Sequence, residues 1–492
     1  MNALTAIALW LHPALLAALV LRAAAGEPDA LWLALGALIA PLVALLTPSR
    51  RGPERRGFGA VVTGLVLTLL LAADFLVAAD AAALLGGAPW QGVAFAAVVA
   101  LLVVAWPAAA RAGAPALALG VIALLFPLGA IAVGTASAPW TAWIRGSARP
   151  ALAFSERGAW AREGDRFALG TRVGFRDGQR VTAVAPGTFR VVEHDGPQPT
   201  VREWKLGAGE TLTLRPGDEL TVPAGARLRF EPGRRVPGAP ASGVDWADAP
   251  GRGFWMLPAA LGALVTLVGG ALALVPPPAR GDRTAVAGPV ALLLATSGAV
   301  TWGVYAAAVA PELVLGSSPL AAIVRLPGLV LGARGRLLAL LALVALAFIL
   351  LAVAASARAR LGAVVGRAPG FWAAIVIVAA GLALSVSDPW WLLLLGLGLA
   401  AAALAPMRLA ASPTGAVAGG VVGVLVFVAL AALPVLAPGA PAWLGALARY
   451  PALLAMPLGS VVARLPGTAR KPAPRTRGER NADGVEEPAP VA

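Results

Sequence analysis

Long apolar runs separated by short charged loops make up most of the chain. They recur on both sides of residues 139–252 and are roughly 16 to 23 residues long, close to the length that a helix needs to cross a bilayer. The pattern predicts about twelve transmembrane helices, five before this stretch and seven after it. The predicted helices cover about residues 1–20, 31–46, 58–79, 91–109, 115–137, 254–274, 290–310, 337–355, 371–386, 390–405, 414–436 and 443–462. Met1–Gly26 has no basic residues ahead of its apolar run, so we interpret it as a retained first helix.

Residues 139–252 are the one long stretch whose pattern suits an aqueous fold. Apolar and polar residues alternate from Thr211 to Phe230 on both sides of a Pro-Gly-Asp turn, which predicts strands with one buried face. About seven short strands are expected, and they favour an inserted all-β domain, either a small sandwich or a barrel. The expected strands are residues 167–175, 180–185, 188–193, 201–206 and three within 211–230. Residues 155–165 are expected to form a loop or a short helix.

Composition agrees with the membrane class and removes several kinds of site. Hydrophobic residues make up 59% of the 492 residues, charged residues make up 13%, and the mean hydropathy is +0.80. The chain contains no cysteine, which excludes disulfides, thiolate metal sites and thiol nucleophiles. His12 and His194 are predicted to lie in different solvents, so we expect no metal site and no haem.

Arginine placement predicts the orientation of the helices. Residues 48–56 hold four arginines in a short loop, which predicts a cytoplasmic location by the positive-inside rule. Both chain termini then lie in the cytoplasm of a bacterial cell, and residues 139–252 lie in the periplasm or outside the cell. The net charge of +14 is scattered over such loops, so it predicts orientation in an inner (plasma) membrane and no nucleic-acid partner.

The same reasoning divides the chain into four parts. These are an N-terminal membrane domain at 1–138, the β-domain at 139–252, a C-terminal membrane domain at 253–463 and a basic cytoplasmic tail, expected to be disordered, at 464–492. Residues 312–334 break the alternation, because Arg325 and Arg334, with Arg336 just after them, would lie outside. This stretch is either a re-entrant element or a short extra span that inverts everything after it.

Polar residues inside apolar helices are the best candidates for function, since charge is costly in lipid. Asp74 lies within the third predicted helix and is the candidate for a proton or cation relay. The alternative is that it faces a cavity or pairs with Arg449 in the last helix. Ser297, Thr301 and Tyr305 recur at four residues and form a polar stripe on the seventh helix, suited to a polar path or to interhelical hydrogen bonds.

Three glycines point to packing instead of chemistry. Gly415, Gly419 and Gly423 form two overlapping GxxxG steps in the eleventh helix, which predicts close helix contacts within the chain or between copies. No catalytic residue and no cofactor is assigned, so an enzyme is the less favoured class.

Three functions remain open. The first is a membrane subunit that displays its β-domain and scaffolds or anchors an envelope complex through that domain or its helices. The second is a secondary transporter or a translocator of a lipid-linked substrate that uses Asp74, the polar stripe and Arg449. The third is a membrane-embedded enzyme or redox-chain component with a site near Asp388.

Overall fold

The protein is described here from a computed structural model. It consists mostly of helices, with a separate region of antiparallel sheet between the sixth and seventh helices. The structure describes residues 3–24, 29–47, 57–106, 111–142, 152–155, 158–161, 171–175, 178–193, 199–223, 226–231, 256–275, 286–310, 313, 318–365, 369–436, 447–448 and 450–465.

The helices are numbered in chain order. They are α1 (Ala3–Ala8), α2 (Pro13–Ala24), α3 (Asp29–Leu46), α4 (Phe58–Leu84), α5 (Pro89–Ala105), α6 (Gly113–Gly134), α7 (Met256–Leu274), α8 (Ala287–Val309), α9 (Ala321–Leu331), α10 (Ala333–Val365), α11 (Pro369–Ser385), α12 (Pro389–Leu399), α13 (Ala405–Leu409), α14 (Pro413–Leu436) and α15 (Ala452–Arg464). A π-helical turn at Ala400–Leu404 joins α12 to α13.

Six helical segments in the described part of the chain are long and apolar enough to cross a bilayer. They are Phe58–Leu84, Gly113–Gly134, Ala287–Val309, Ala333–Val364, Pro389–Leu409 and Pro413–Leu433. Seven shorter apolar helices pack with them, and large apolar side chains stay exposed on the surface of the bundle. An apolar surface of this kind is stable against lipid, so the chain is a helical membrane protein that carries a β-region.

Two predicted helices differ from the observed ones for local reasons. The first predicted helix is broken into α1 and α2, because Pro13 has no N–H to continue the hydrogen-bond ladder. The predicted helix at 337–355 extends over Ala333–Val365, since no proline or glycine pair interrupts the basic residues that follow its apolar core.

Arginine side chains bring several helix ends together. Arg408, at the end of α13, donates to the carbonyls of Leu272 and Val275 at the end of α7, the latter at 2.7 Å. Its second nitrogen donates to the carbonyls of Ala44 at 3.2 Å and Thr47 at 3.4 Å, at the end of α3. The last carbonyls of a helix have no partner within it, so a cation placed there stabilises the helix end.

Two further arginines make the same kind of contact. Arg360 of α10 donates to the carbonyls of Leu274 at 3.3 Å and Ala273 at 2.5 Å, and Arg358 donates to the carbonyl of Val103 near the end of α5. The C-terminal ends of α3, α5, α7, α10 and α13 therefore lie at one end of the bundle. We call it the arginine end.

The short helix α9 follows a different course. Its 11 residues span about 16 Å at 1.5 Å per residue, too little to cross a membrane. It turns into α10 at Gly332, whose φ of 60° is readily adopted by glycine alone. A Cβ on Gly335 would collide with the carbonyl of Pro327, so α9 and the start of α10 form a tight hairpin.

The β-region is a two-layer sandwich. Its strands are β1 (Leu152–Ser155), β2 (Gly158–Ala161), β3 (Thr171–Gly174), β4 (Gln179–Ala183), β5 (Gly187–Glu193), β6 (Thr200–Leu206), β7 (Thr211–Leu214), β8 (Glu219–Val222) and β9 (Leu228–Phe230). One sheet has the order β1-β2-β9-β4-β7 and the other has the order β3-β8-β5-β6.

Alternating residues of both sheets fill the core of this sandwich. Leu212 and Leu214 of β7, Leu220 of β8 and Phe230 of β9 are among the buried residues, as the alternation from 211 to 230 predicts. The expectation of a loop or short helix at 155–165 is wrong for the residues described, because β1 and β2 pair there as a hairpin.

Candidate functional site

The most unusual feature of the bundle is the interruption between α1 and α2. His12 N donates to the carbonyl of Trp10 at 2.9 Å, although a continuous helix would direct it to Ala8. Pro13 then opens α2 and supplies no N–H for the carbonyl of Leu9. The interruption therefore removes the usual helical donors of two consecutive carbonyls.

A carboxylate from another helix closes this interruption. Asp74 of α4 accepts a hydrogen bond from the backbone N of Ala14 at 3.0 Å, and so caps the first turn of α2. The other oxygen of Asp74 lies 2.8 Å from Nδ1 of His12. His12 and Asp74 are each 1% exposed, so both polar groups are enclosed by protein.

The pair has an unused nitrogen. An ionised carboxylate can only accept, so beside an ionised Asp74 the tautomer of a neutral His12 that fits this contact has its hydrogen on Nδ1. Nε2 then presents a lone pair, and it has no hydrogen-bond partner in the described part of the chain. An imidazole oriented by a carboxylate in this way is a proton acceptor held in a fixed tautomer.

Neighbouring contacts hold the interruption in place. The indole N–H of Trp10 donates to the carbonyl of Ala37 in α3 at 2.8 Å, and Trp10 is completely buried. The interruption is therefore tied to α3 through Trp10 and to α4 through His12 and Ala14.

A second buried polar atom lies at the same level of the bundle. Close contacts of Gly288 with Ala3 and of Gly303 with Ala23 align α8 with α1 and α2. Thr296 lies about midway between Gly288 and Gly303 in α8. His12 lies about midway between Ala3 and Ala23, the residues that these two glycines contact. Thr296 is seven residues before Gly303, two helical turns on the same stripe. Its Oγ1 is buried and has no hydrogen-bond partner among the described residues.

A second carboxylate of α4 holds the hairpin of α9. Asp80 accepts a hydrogen bond from the hydroxyl of Ser318 at 2.7 Å and from the backbone N of Leu320 at 3.2 Å, just before α9 begins. Asp80 lies six residues beyond Asp74, about 9 Å further along α4. One helix therefore anchors both the interrupted helix and the short helix.

The hydroxyls of the predicted polar stripe donate to backbone carbonyls and not to Asp74. Ser297 and Thr301 donate to carbonyls four residues earlier in their own helix, each at 2.7 Å, and Ser297 is exposed. Tyr305 is buried, and its hydroxyl donates to the carbonyl of Ser137 at 2.7 Å. Arg449, the other member of the predicted site, lies outside the described residues.

The glycine steps of α14 lie against backbone of the same chain. A Cβ on Gly415 would meet the carbonyl oxygen of Ala463 at 2.6 Å, and a Cβ on Gly419 would meet that of Gly459 at 2.5 Å. A Cβ on Gly423 would collide with the carbonyl of Ala402 in the π-helical turn. These three positions therefore admit close approach of α15 and of that turn.

Asp388, suggested as part of an outer enzyme site, has a structural role. Its Oδ1 accepts from the backbone N of Trp390 at 2.9 Å and of Trp391 at 3.2 Å, and so caps α12. Within the described residues, no three His, Cys, Asp or Glu side chains form a group able to hold a metal ion.

His12 is the functional candidate that sequence reasoning missed. It precedes Pro13 in the middle of an apolar run, a position where the residue before proline is driven out of the helical region. A titratable residue beside a predicted helix interruption is the signal that could have identified it.

Comparison of the chain with protein-family models, with curated proteins and with solved structures finds no match. The function therefore has to be inferred from the site itself.

Proposed function

We propose that this protein is a secondary transporter that couples movement of its substrate to protons, with the His12–Asp74 pair as the proton-binding group. The observation that carries the proposal is a buried His–Asp pair at an interrupted helix, with one imidazole nitrogen left without a partner. Ionisable residues inside membrane helices are costly, and the usual reason to keep them is function.

The interruption supports a transport role more than a structural one. The partner of Asp74 is an imidazole, the side chain most used to bind and release protons, and not an arginine or a lysine. Interrupted helices whose ends face a titratable or charged group recur in transporters, at the middle of the bilayer. Asp74 lies about 24 Å from the start of α4, well inside that helix.

The proposed orientation follows the arginine loops. The helix ends gathered at the arginine end are those expected in the cytoplasm, which supports about twelve crossings with both termini inside and residues 139–252 outside. The absence of cysteine makes this testable by labelling of single cysteines in intact cells. Val201→Cys should react with a membrane-impermeant maleimide from outside, and Arg111→Cys should react only after permeabilisation. The reverse pattern would contradict the orientation.

Proton coupling can be tested before the substrate is known. Proteoliposomes on a solid-supported membrane are given a pH jump, and the transient current from proton binding is recorded. The wild-type protein should give a current above that of empty liposomes, and Asp74→Asn should lose most of it. Thr68→Val is the matched control, because Thr68 is buried on the same helix and its hydroxyl donates to the carbonyl of Gly64, its one partner among the described residues.

Two results would contradict this proposal. A wild-type protein without any current would remove proton coupling. An undiminished current in Asp74→Asn would place the proton-binding group elsewhere.

The second candidate is the scaffold that displays the β-domain to protein partners. One observation favours it: the edge strand β6 is exposed along six of its seven residues. If this is the main function, other envelope proteins should co-purify in fixed ratio with the full chain, and Asp74→Asn should leave that ratio unchanged.

A further inference from the structure

Strand β6 forms an open edge of the second sheet. It pairs with β5 along its whole length, from Thr200 opposite Glu193 to Leu206 opposite Gly187, and none of the strands that the structure describes lies on its other side. Its seven residues make it, with β5, the longest strand described. The outer edge therefore presents unpaired N–H and C=O groups over about 20 Å.

The residues on this edge are partly apolar. Trp204 lies opposite the buried Phe189, on the face that covers the sandwich core, yet it is 39% exposed. Val201, on the other face of the strand, is 46% exposed. Exposed edges of this kind are normally protected by charge, and here Glu203 and Lys205 flank Trp204.

We infer that β6 is a homodimer interface, at which β6 of a second copy pairs with it antiparallel and joins the two four-stranded sheets. In such a pair the two-fold axis runs perpendicular to the sheet, so one residue must lie opposite its own copy. The question is which residue of β6 can occupy the axis.

Charge complementarity selects the register. Placing Arg202, Glu203 or Lys205 on the axis sets two like charges directly opposite each other, which is destabilising. Placing Val201 there leaves every charged residue of the strand without an opposite charge across the interface. Placing Trp204 on the axis pairs the two indoles and sets Glu203 of each copy opposite Lys205 of the other.

The charges on β6 fit this arrangement. Neither Glu203 nor Lys205 forms an ion pair in the described part of the chain, so both are available to a second copy. Arg202 is already compensated by Glu193, at 3.4 Å on the adjoining strand. The charges that would protect the edge against other strands therefore become attractive in this single register.

The experiment uses full-length protein in its membrane and the natural absence of cysteine. In the Trp204→Cys variant the two introduced cysteines lie directly opposite, with Cα atoms about 4.5 to 5.5 Å apart, within disulfide range. Mild oxidation should give a covalent dimer. Arg190→Cys is the matched control: it is exposed on β5, and the two copies would lie about 16 Å apart, across three strand spacings and two residues along the strand.

Charge reversal tests the register with Trp204 intact. Glu203→Lys and Lys205→Glu each convert two attractive pairs into two repulsive ones, and each should lower the association constant in detergent about 30-fold. The double variant Glu203→Lys/Lys205→Glu restores both pairs and should regain dimerisation. Equal crosslinking of both cysteine variants, absence of crosslinking in both, or a double variant no better than the single ones would overturn the inference.

Discussion

Replacing Asp74 by alanine tests how the interrupted helix is held. The substitution removes the acceptor of two enclosed donors, Nδ1 of His12 and the backbone N of Ala14. Two ordinary interhelical bonds in a membrane contribute about 1 kcal/mol together, because the unfolded state in lipid finds other partners. Removing one partner of an enclosed ion pair costs about 3 to 5 kcal/mol. Asp74 accepts from a neutral backbone N–H and contacts an imidazole that can be neutral or charged, so the expected loss in the free energy of unfolding lies between these limits, at about 2 to 4 kcal/mol.

Asparagine at the same position should separate stability from proton binding. Its carbonyl oxygen can still accept from Ala14 N, and its amide can donate to Nδ1 of the other imidazole tautomer. The expected loss is therefore below about 1 kcal/mol. Asp74→Asn should nevertheless lose most of the pH-jump current, since a neutral amide no longer offsets the positive charge that His12 gains when Nε2 binds a proton.

The assay is equilibrium unfolding in mixed micelles, followed by the fluorescence of the 15 tryptophans. A double-mutant cycle with His12→Ala completes it: the double variant should cost clearly less than the sum of the two alanine variants, because the groups are in contact. Thr68→Val should lie within about 1 kcal/mol of wild type. Additive costs, or equal losses in Asp74→Ala and Thr68→Val, would refute the coupling.

Three further predictions concern the contacts around the site, and each can be measured by the same unfolding assay. Asp80→Ala leaves two donors before α9 without their acceptor and should lower the free energy of unfolding by about 1 to 3 kcal/mol. Protease cleavage near α9 should become faster. An unchanged cleavage rate would show that Asp80 does not hold this segment. Arg408→Met removes the donor shared by the ends of α3 and α7 and should cost about 2 to 4 kcal/mol, and a neutral result would mean that these carbonyls find other partners. Gly423→Ala should lower the free energy of unfolding by about 1 to 3 kcal/mol, because the new Cβ collides with the π-helical turn. Gly381→Ala is the control: its Cβ would meet nothing within 4 Å, so the substitution should be neutral or stabilising. Equal effects of the two substitutions would contradict the close packing of α14.

Periodicity predicted the class of the fold because lipid forces backbone groups into helices and a sandwich forces residues to alternate. The strands from Thr211 to Phe230 follow that alternation closely. The hairpin of β1 and β2 was missed because short strands at 152–161 carry no such pattern in the sequence. The predicted helix at 390–405 leaves Arg408 in a loop, whereas its enclosed contacts to helix ends depend on a tertiary arrangement that no local pattern encodes.

The site was also predictable only in part, because the sequence shows a polar residue in an apolar helix but not the residue that it contacts. Asp74 stands out as a carboxylate in an apolar run, but its partner His12 is 62 residues away in the sequence. The stripe of Ser297, Thr301 and Tyr305 was selected by spacing, and the structure gives two of those hydroxyls to their own helix. Spacing identifies a face of a helix and does not say what lies opposite that face.

The protonation state of His12 tests the central claim most directly. With His194 replaced by glutamine, His12 is the single histidine, and nitrogen-15 NMR of histidine-labelled protein in lipid reports both of its ring nitrogens. The account predicts hydrogen on Nδ1 and none on Nε2 in alkaline solution, with reversible gain of the Nε2 hydrogen on acidification and an altered Nδ1 signal in Asp74→Asn. A hydrogen fixed on Nε2 at every pH would contradict it.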